Sequence, residues 1–449
     1  VVSELNEGLA ADIIELARRR GAESAEVFLW HKREFSVVVR LGQIETLREA
    51  TSCGLSLRVL IGGRQASVSG SDLNPQQISS LIEDAIEMAR ATSADELAGL
   101  PEPEQLATSI PELELYDPAI ESLSAQQKIE LAMRAEAAAR ETSDKIINSE
   151  GSSFSSTVGL IILANSAGFA GSYRTSVCSL SVAPVASNGD RMQRDYWYDM
   201  KRKLCELESP EHIGRKAAER TIRKLGARAV PTQKVPIVFE ANMAGELLSS
   251  LFQAVSGEAV SRKASFLVGQ LNERVAPEKL TIIDDGTMRG RLGSRPFDGE
   301  GLESRRTAVI RNGMLESYLL NTYTARKLKL ESTANATPSV SGPPGIGPTN
   351  FFIEPGPHRP EEIIRSVPRG FYVTELLGFG VNIVTGDYSR SAAGLWIENG
   401  QLAFPVQGVT VAGNLKDMLK GIEMIGNDLD FRGQIASPTL LIAEMTVSA

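Results

Sequence analysis

Few side chains in this chain are equipped for bond-breaking chemistry, and their spacing decides what they could do. His31, His212 and His358 are its only histidines, each more than a hundred residues from the next. A catalytic zinc needs about three nitrogen, sulfur or carboxylate ligands plus an open position, and no two of these histidines have ligand spacing. His31, beside Lys32 and Arg33, reads as solvent-facing; His212 falls in a first helical turn, and His358 sits in a Pro-broken loop. Cys53, Cys178 and Cys205 lack a C-x-x-C spacing and read as small buried hydrophobes. Asp284–Asp285 and Asp298–Glu300 could form acid and base pairs, but with no histidine beside them they read as turn carboxylates. Gly378-Phe379-Gly380 lacks the third glycine of a dinucleotide fingerprint. Ser389 beside Arg390 suggests a nucleophile, yet no local base is present to activate the hydroxyl. The stretch Gly386, Asp387, Tyr388, Ser389 and Arg390 is better read as a loop that could line a peptide groove.

The elements that would position these residues can be traced by periodicity. Leu5 to Arg20 predicts an amphipathic helix closed by Gly21. Ser24–Leu29 and Glu34–Leu41 read as strands joined by a charged turn, followed by strands at Glu45–Glu49 and Gly54–Ile61. Gly62-Gly63 is a tight turn into Gln65–Ser69, and Pro75–Ala91 is a second helix. Residues 100–112 hold three prolines and mark a connection. Ser124–Thr142 reads as an Ala-rich helix whose Ser124 and Gln127 have capping-box spacing. Strands are expected at Ile146–Phe154, Thr157–Asn165, Gly168–Val185 and Met192–Met200, then a helix at Pro210–Leu225. The helix, sheet, helix order thus occurs twice, a loose recurrence. Pro231 and Thr232 interrupt the pattern, so a boundary falls at 229–234. Beyond it the chain is strand-rich, with Asn312-Gly313 and Asn399-Gly400 as hairpin turns and short helices at Ala244–Ser256, Thr322–Lys329, Pro360–Val367 and Leu415–Ile425. The Pro/Gly-rich loop Pro338–Asn350 excludes a helix or a central strand. The expected class is α+β: residues 1–230 form antiparallel sheets flanked by helices, with a possible subdivision near 100–112, and 231–449 form a β-rich C-terminal domain.

One tract connects these pieces. Val235–Phe239 reads as a buried strand running into Gly245-Glu246-Leu247-Leu248-Ser249-Ser250-Leu251-Phe252-Gln253-Ala254, a helix with Asn242 as its cap. Downstream come Gly257–Phe266, Asp284-Asp285-Gly286-Thr287, Asn312–Leu315, Thr385–Gly394, Glu398-Asn399-Gly400 and Ala412–Asp417. In this order the blocks resemble the TldD/PmbA family over nearly the whole chain, and its PmbA (TldE) branch in particular. In the TldD branch the helix carries His-Glu-x-x-x-His, which binds zinc. Laid on this chain, the first His falls on Ser249, the Glu on Ser250 and the second His on Ala254. The third ligand implied is a Cys after the region of Gly426-Asn427-Asp428, and Leu429–Gln434 contains none. These positions are therefore a degenerate metal site, and no catalytic residue is expected here.

Charge and composition narrow the partners. Forty-seven Lys and Arg against 56 Asp and Glu give a net charge of −9, which argues against a general phosphate-backbone binder. Arg215, Lys216, Arg220, Arg223, Lys224 and Arg228 read as one solvated helical face rather than a nucleic-acid patch. Scattered thiols, and no leader-like or membrane-length apolar run, fit a cytoplasmic protein. The resemblance implies the metal-free subunit of a zinc peptidase that cuts unfolded peptides. It would carry no cofactor of its own, with zinc held by a TldD-like partner and peptides entering as an added strand. The alternative is a metal-free peptide-binding or scaffold protein, possibly a homodimer, acting on a gyrase-linked partner.

Overall fold

The computed structural model describes residues 5–189 and 191–449. The chain opens with α1 (Glu7–Arg19), whose Asn6 side chain accepts the Leu9 N–H at 2.9 Å. Glu7 lies in its positive first turn and Arg18 and Arg19 in its negative last turn. Then follow β1 (Ser24–Arg40), β2 (Gln43–Ile61), β3 (Arg64–Gly70) and α2 (Pro75–Ala91). After a connecting segment come α3 (Pro118–Ser122), α4 (Ala125–Glu141), β4 (Ile146–Asn165), β5 (Ala170–Ser187), β6 (Met192–Arg194), β7 (Trp197–Lys201) and α5 (Pro210–Ile222). The strands form one antiparallel sheet in the order β3-β2-β1-β4-β5-β6, with β7 also paired to β5.

Three expected breaks between strands are absent. The charged run His31–Arg33 lies inside β1, which pairs continuously with β2 from Ser24↔Leu60 to Val38↔Thr46. It contains none of the Gly, Pro or Asn that a reversal needs. Gly54 likewise sits within β2, because its missing side chain makes room for Trp30: a Cβ there would lie 2.1 Å from the indole. The expected break in β4 between Phe154 and Thr157 is also continuous strand. Conversely, Met192–Met200 is divided at residues 195–196 into β6 and β7.

All the packing helices lie on one face of this sheet. Odd residues of β1 point to that face; Val27 and Leu29 join α1 and α2 in one core, and Phe35, Val37 and Val39 join α4 and α5 in another. The central β1–β4 pair, Glu26↔Asn165 to Val39↔Ser152, runs through both cores. The recurrence read from the sequence is thus two helix-flanked units, one of three strands and one of four, side by side in a single sheet.

The rest of the chain comprises β8 (Gln233–Phe239), α6 (Ala241–Val255), α7 (Gly257–Ser261), β9 (Ile282–Asp285), β10 (Arg306–Arg311), β11 (Met314–Leu315), α8 (Thr322–Leu328), β12 (Ala336–Thr337) and β13 (Gly345–Ile346). It ends with β14 (Phe351–Ile353), α9 (Pro360–Ser366), β15 (Arg369–Leu377), β16 (Asp387–Glu398), β17 (Gln401–Asn414), α10 (Leu415–Lys420), β18 (Ile422–Ile425), β19 (Ile435–Ala436) and β20 (Leu440–Ser448). Strands β17-β16-β15-β8-β20 are joined in that order, and β20 pairs back to β17 at Val411↔Val447, so five strands close into a barrel with β18 attached to β20. Closure removes the barrel's open edges. Asn312-Gly313 and Asn399-Gly400 are hairpin turns with both residues at positive φ, as expected. Gly421 ends α10, so Ile422–Ile425 is a strand and not a helical continuation. Asp284 and Asp285 end the buried strand β9 and are not turn residues. A second sheet runs β11-β10-β9-β14-β19. Helix α6 packs against β8 and β15 of the barrel and also against β14 and β19 of this second sheet. The two sheets enclose it.

Candidate functional site

Burial between two sheets sets the character of α6. Met243, Ala244, Leu247, Leu248, Leu251 and Val255 lie in the main core. Asn242, Glu246, Ser249 and Gln253 follow at i, i+4, i+7 and i+11 and form the polar stripe that reaches solvent. The helix is capped two residues earlier than expected: Glu240 is the N-cap residue and Asn242 lies in the first turn. The Glu240 carboxylate faces away from the helix end and accepts two bonds from Arg220 Nη1, at 2.7 and 2.9 Å.

The three degenerate positions do not face one point. Ser249 lies on the polar stripe, whereas Ser250 is 9% exposed and Ala254 is fully buried. Ala254 belongs to the core, and its carbonyl accepts the Ser265 hydroxyl at 2.6 Å. Two neutral hydroxyls and a methyl group offer none of the donors zinc takes. Among the described residues no three His, Cys, Asp or Glu side chains converge as a ligand set anywhere in the chain. The residues present do not fit the metal.

Segment Leu429–Gln434, where the third ligand was sought, leads into β19 beside α6 and is held by charge pairs. Arg432 donates to Glu208 at 2.6 Å and to the Tyr198 carbonyl, pairs with Asp430 at 2.8 Å, and lies 4.3 Å from the centre of the Trp197 ring. Lys201 pairs with buried Asp199 at 3.0 Å and with Asp430 at 3.4 Å. The contacts of Arg432 with Glu208, Tyr198 and Trp197 and of Lys201 with Asp430 join residues more than 200 positions apart, and no local spacing announces them.

Gly386–Arg390 is mostly strand, not loop. Gly386 has φ +90°, and a Cβ on it would meet the Asn414 Oδ1 at 2.8 Å. Asp387 accepts from Thr385 at 2.6 Å and from Asn414 at 3.2 Å. Tyr388 is 1% exposed and part of the core, with its hydroxyl pushed up to about 12 by burial, so it cannot line a groove. Ser389 donates its N–H to Gly380, and β17 covers the other side, so this part of β16 offers no edge to an incoming strand. Arg390 reaches the polar stripe of α6, pairing with Glu246 at 3.3 Å. Tyr196 and Tyr198 stack at 6.1 Å beside it. Burial raises both hydroxyls, and the Glu246 charge adds to this. The structure thus gathers Glu246, Arg390, Tyr196 and Tyr198 around the helix. They can hold polar groups, but none is an activated nucleophile.

Other sequence candidates fall apart in space. The histidines occupy β1, α5 and the loop before α9. Cys178 is buried and its thiol is pushed up to about 12 by desolvation. Cys53 is half-buried, and Cys205, on a short turn, is exposed rather than buried. The basic run on α5 is not one solvated face either. Arg220 is buried against Glu240 and Asp195, and Lys224 against Asp195 and Glu375, because the helix turns that side towards the C-terminal half. Asp298 and Glu300 are fully buried, and burial drives the Glu300 carboxyl up to about 7 with Asp298 adding to the shift. No described helix is long and apolar enough to cross a membrane.

Residues 232–449 match the PmbA/TldA metallopeptidase C-terminal domain, 118–225 the central domain and 25–89 domain 1 of the same family. The chain is 38% identical to the Escherichia coli metalloprotease PmbA over 435 residues, covering 97% of this chain and 94% of that one. It is 35% identical to the Haemophilus influenzae PmbA homologue, with 97% and 94% covered. A Bacteroides thetaiotaomicron protein, a candidate modulator of DNA gyrase, superposes with a TM-score of 0.91 at 30% identity over all of both chains. TldE of Thermococcus kodakarensis shares the fold at a TM-score of 0.88 and 22% identity, with 98% of this chain and 100% of that one covered. The chain belongs to the PmbA/TldD metallopeptidase family.

Proposed function

We propose that this chain is the metal-free subunit of a two-chain zinc peptidase that cuts unfolded peptides, with a TldD-like partner holding the metal. The observation that carries this reading is the chemistry of α6. Ser249, Ser250 and Ala254 offer no zinc ligand, and two of the three face the core. The Escherichia coli relative is named a metalloprotease; the donor set of α6 in this chain supports the reading that a partner performs the hydrolytic step. A surface fit for pairing supports the same reading. Phe379 is wholly exposed, and Leu377 and Val384 beside it are more than half exposed, an unusual grouping for a surface with no partner. Substrate enters as an added strand, which the closed barrel does not accommodate except at β18, so pairing falls to the outer strands of the other sheets.

The test is to assay metal content and cleavage of an unfolded protein with the purified chain, with a TldD-like subunit, and with both. Expected is chelator-sensitive cleavage by the mixture and no stoichiometric zinc in the lone chain. Zinc at one equivalent in the lone chain, or unaided digestion abolished by EDTA, overturns the assignment.

A further inference from the structure

The helix-free face of the N-terminal sheet is not simply packed against the C-terminal half. Between them lies a cavity of about 400 Å³, walled by β1, β4 and β5 on one side and by Arg295–Gly299 with Pro338 and Val340 on the other. Its volume falls within the range of about 300–1,000 Å³ usual for small-molecule sites. The walls are mostly apolar and include four aromatic side chains, Phe28, Trp30, Tyr173 and Phe297. Phe28 and Trp30 stack at 5.6 Å, and Phe297 meets Tyr173 edge-on at 5.3 Å.

Arg295 lines this cavity without a partner. Among the described residues its guanidinium makes no hydrogen bond and no ion pair, and Nε and Nη2 are sealed from solvent with no acceptor. Nη1 is then the nitrogen left to face the cavity. Neighbouring arginines at the same junction are engaged: Arg58 pairs with Glu26 at 3.1 Å, and Arg202 donates to the Arg291 and Leu292 carbonyls at 2.8 and 2.7 Å. Asp298 also lines the cavity but accepts the backbone N–H groups of Glu300, Leu302 and Ala336, and it does not come within ion-pair distance of Arg295. A guanidinium offers five donors in a planar fork matched to a carboxylate; Arg295 is half-buried, and its charge acts on the buried Asp284 and Asp298 carboxyls without bonding to either, so its donors stay unused. Lys32 on β1 adds a second positive charge at the wall.

We propose that this cavity binds a carboxylate joined to an apolar or aromatic body, with the carboxylate on Arg295 and the body between Trp30 and Phe297. Such a ligand is the free end of a peptide or a small organic acid. No residue of α6 lines the site.

The test uses the purified full chain in titration calorimetry. The probes are 3-phenylpropionate and its amide, and a hexapeptide ending in Phe as free acid and as amide. Expected is at least tenfold tighter binding of one or both acids than of the matching amide, with protection from amide hydrogen exchange at 28–32 and 295–302. Tight binding of the peptide acid alone identifies a chain end as the ligand, and binding of both acids includes free organic acids. Arg295→Met should abolish the acid preference and Arg295→Lys retain part of it. Equal binding of acid and amide, no binding of either acid, or protection confined to other segments overturns the proposal. So does an Arg295→Met chain that melts like the native one and keeps the preference. The exchange and acid-to-amide comparisons on the native chain decide the matter if the variants do not fold.

Discussion

Placing the family's zinc-binding histidine into α6 at Ala254 should damage the fold rather than restore a site. Ala254 is fully buried in the main core, on the side of the helix away from the polar stripe. Ala254→His adds several heavy atoms to a packed position, which costs about 1–3 kcal/mol by overpacking. It also buries an imidazole N–H and ring nitrogen, adding about 1–3 kcal/mol if they stay unpaired. A central value of about 4 kcal/mol, at roughly 2–4 °C per kcal/mol for a cooperative unit of this size, lowers the melting temperature by about 8–16 °C. Ser249→His, on the half-exposed stripe, should stay within about 0.5 kcal/mol of the native chain. Ser250→Glu should fall between the two, because it places a carboxyl where only 9% of the residue is exposed. The assay is thermal unfolding by circular dichroism, with and without zinc. The reasoning is refuted if Ala254→His melts within about 2 °C of the native chain, or if a variant with both histidines gains stability from stoichiometric zinc.

Glu300, pushed up to about 7 by burial, holds its proton more tightly in the folded chain than in the unfolded one. Its contribution is therefore fully present below about pH 4.5 and is lost as pH rises towards 7 and beyond. Glu300→Gln should flatten that fall, worth on the order of 3 kcal/mol, and unfolding in urea at pH 5, 6 and 7.5 measures the slope. Arg432→Ala leaves Glu208 and Asp430 without their shared cation; a loss of about 2–4 kcal/mol is expected, with limited proteolysis finding new cuts at 429–434. An uncut, equally stable variant would show that the clasp is idle. Thiol labelling of the native chain should modify Cys205 first, Cys53 slowly and Cys178 only after denaturation, since only Cys205 is exposed and burial holds the Cys178 thiol at about 12.

Local signals survived the passage from sequence to structure, and non-local ones did not. Pro75–Ala91 and the Ser124–Gln127 capping box were legible because a helix and its cap are settled within a few residues. The Asn-Gly hairpins were legible for the same reason. The long strands were not, since His31–Arg33 breaks the alternation of β1 and looks like a turn. In the fold that run crosses the gap between the two helix-covered cores, where a strand can carry charge on both faces. The α10–β18 segment was read as one helix because its apolar spacing suits either form until β20 provides a pairing partner. That Ser249, Ser250 and Ala254 carry no zinc donor is a matter of residue type alone. Arg295, Arg432 and the half-buried basic face of α5 were not, because their surroundings come from segments up to hundreds of residues away.

A helix clamped between two sheets has little room for unsatisfied polar groups, and that constraint connects the packing of α6 to its chemistry. Metal ligands on its inner sides would have to be deprotonated, oriented and held by further hydrogen bonds, and folding would then be coupled to metal binding. With Ala254 packed and Ser250 small, the inner sides close on hydrocarbon: the void beside Leu247, Leu251 and Met418 is about 20 Å³ and almost entirely apolar, near the lower limit for a single water. Polarity is left to the outer stripe, where Glu246 pairs with Arg390 and its charge acts on Tyr196 and Tyr198. On the proposed reading, the same helix keeps its place in the fold through its core contacts, while Ser249, Ser250 and Ala254 offer nothing to activate water. Stability and hydrolytic chemistry are separable here because they reside on different side chains of one element.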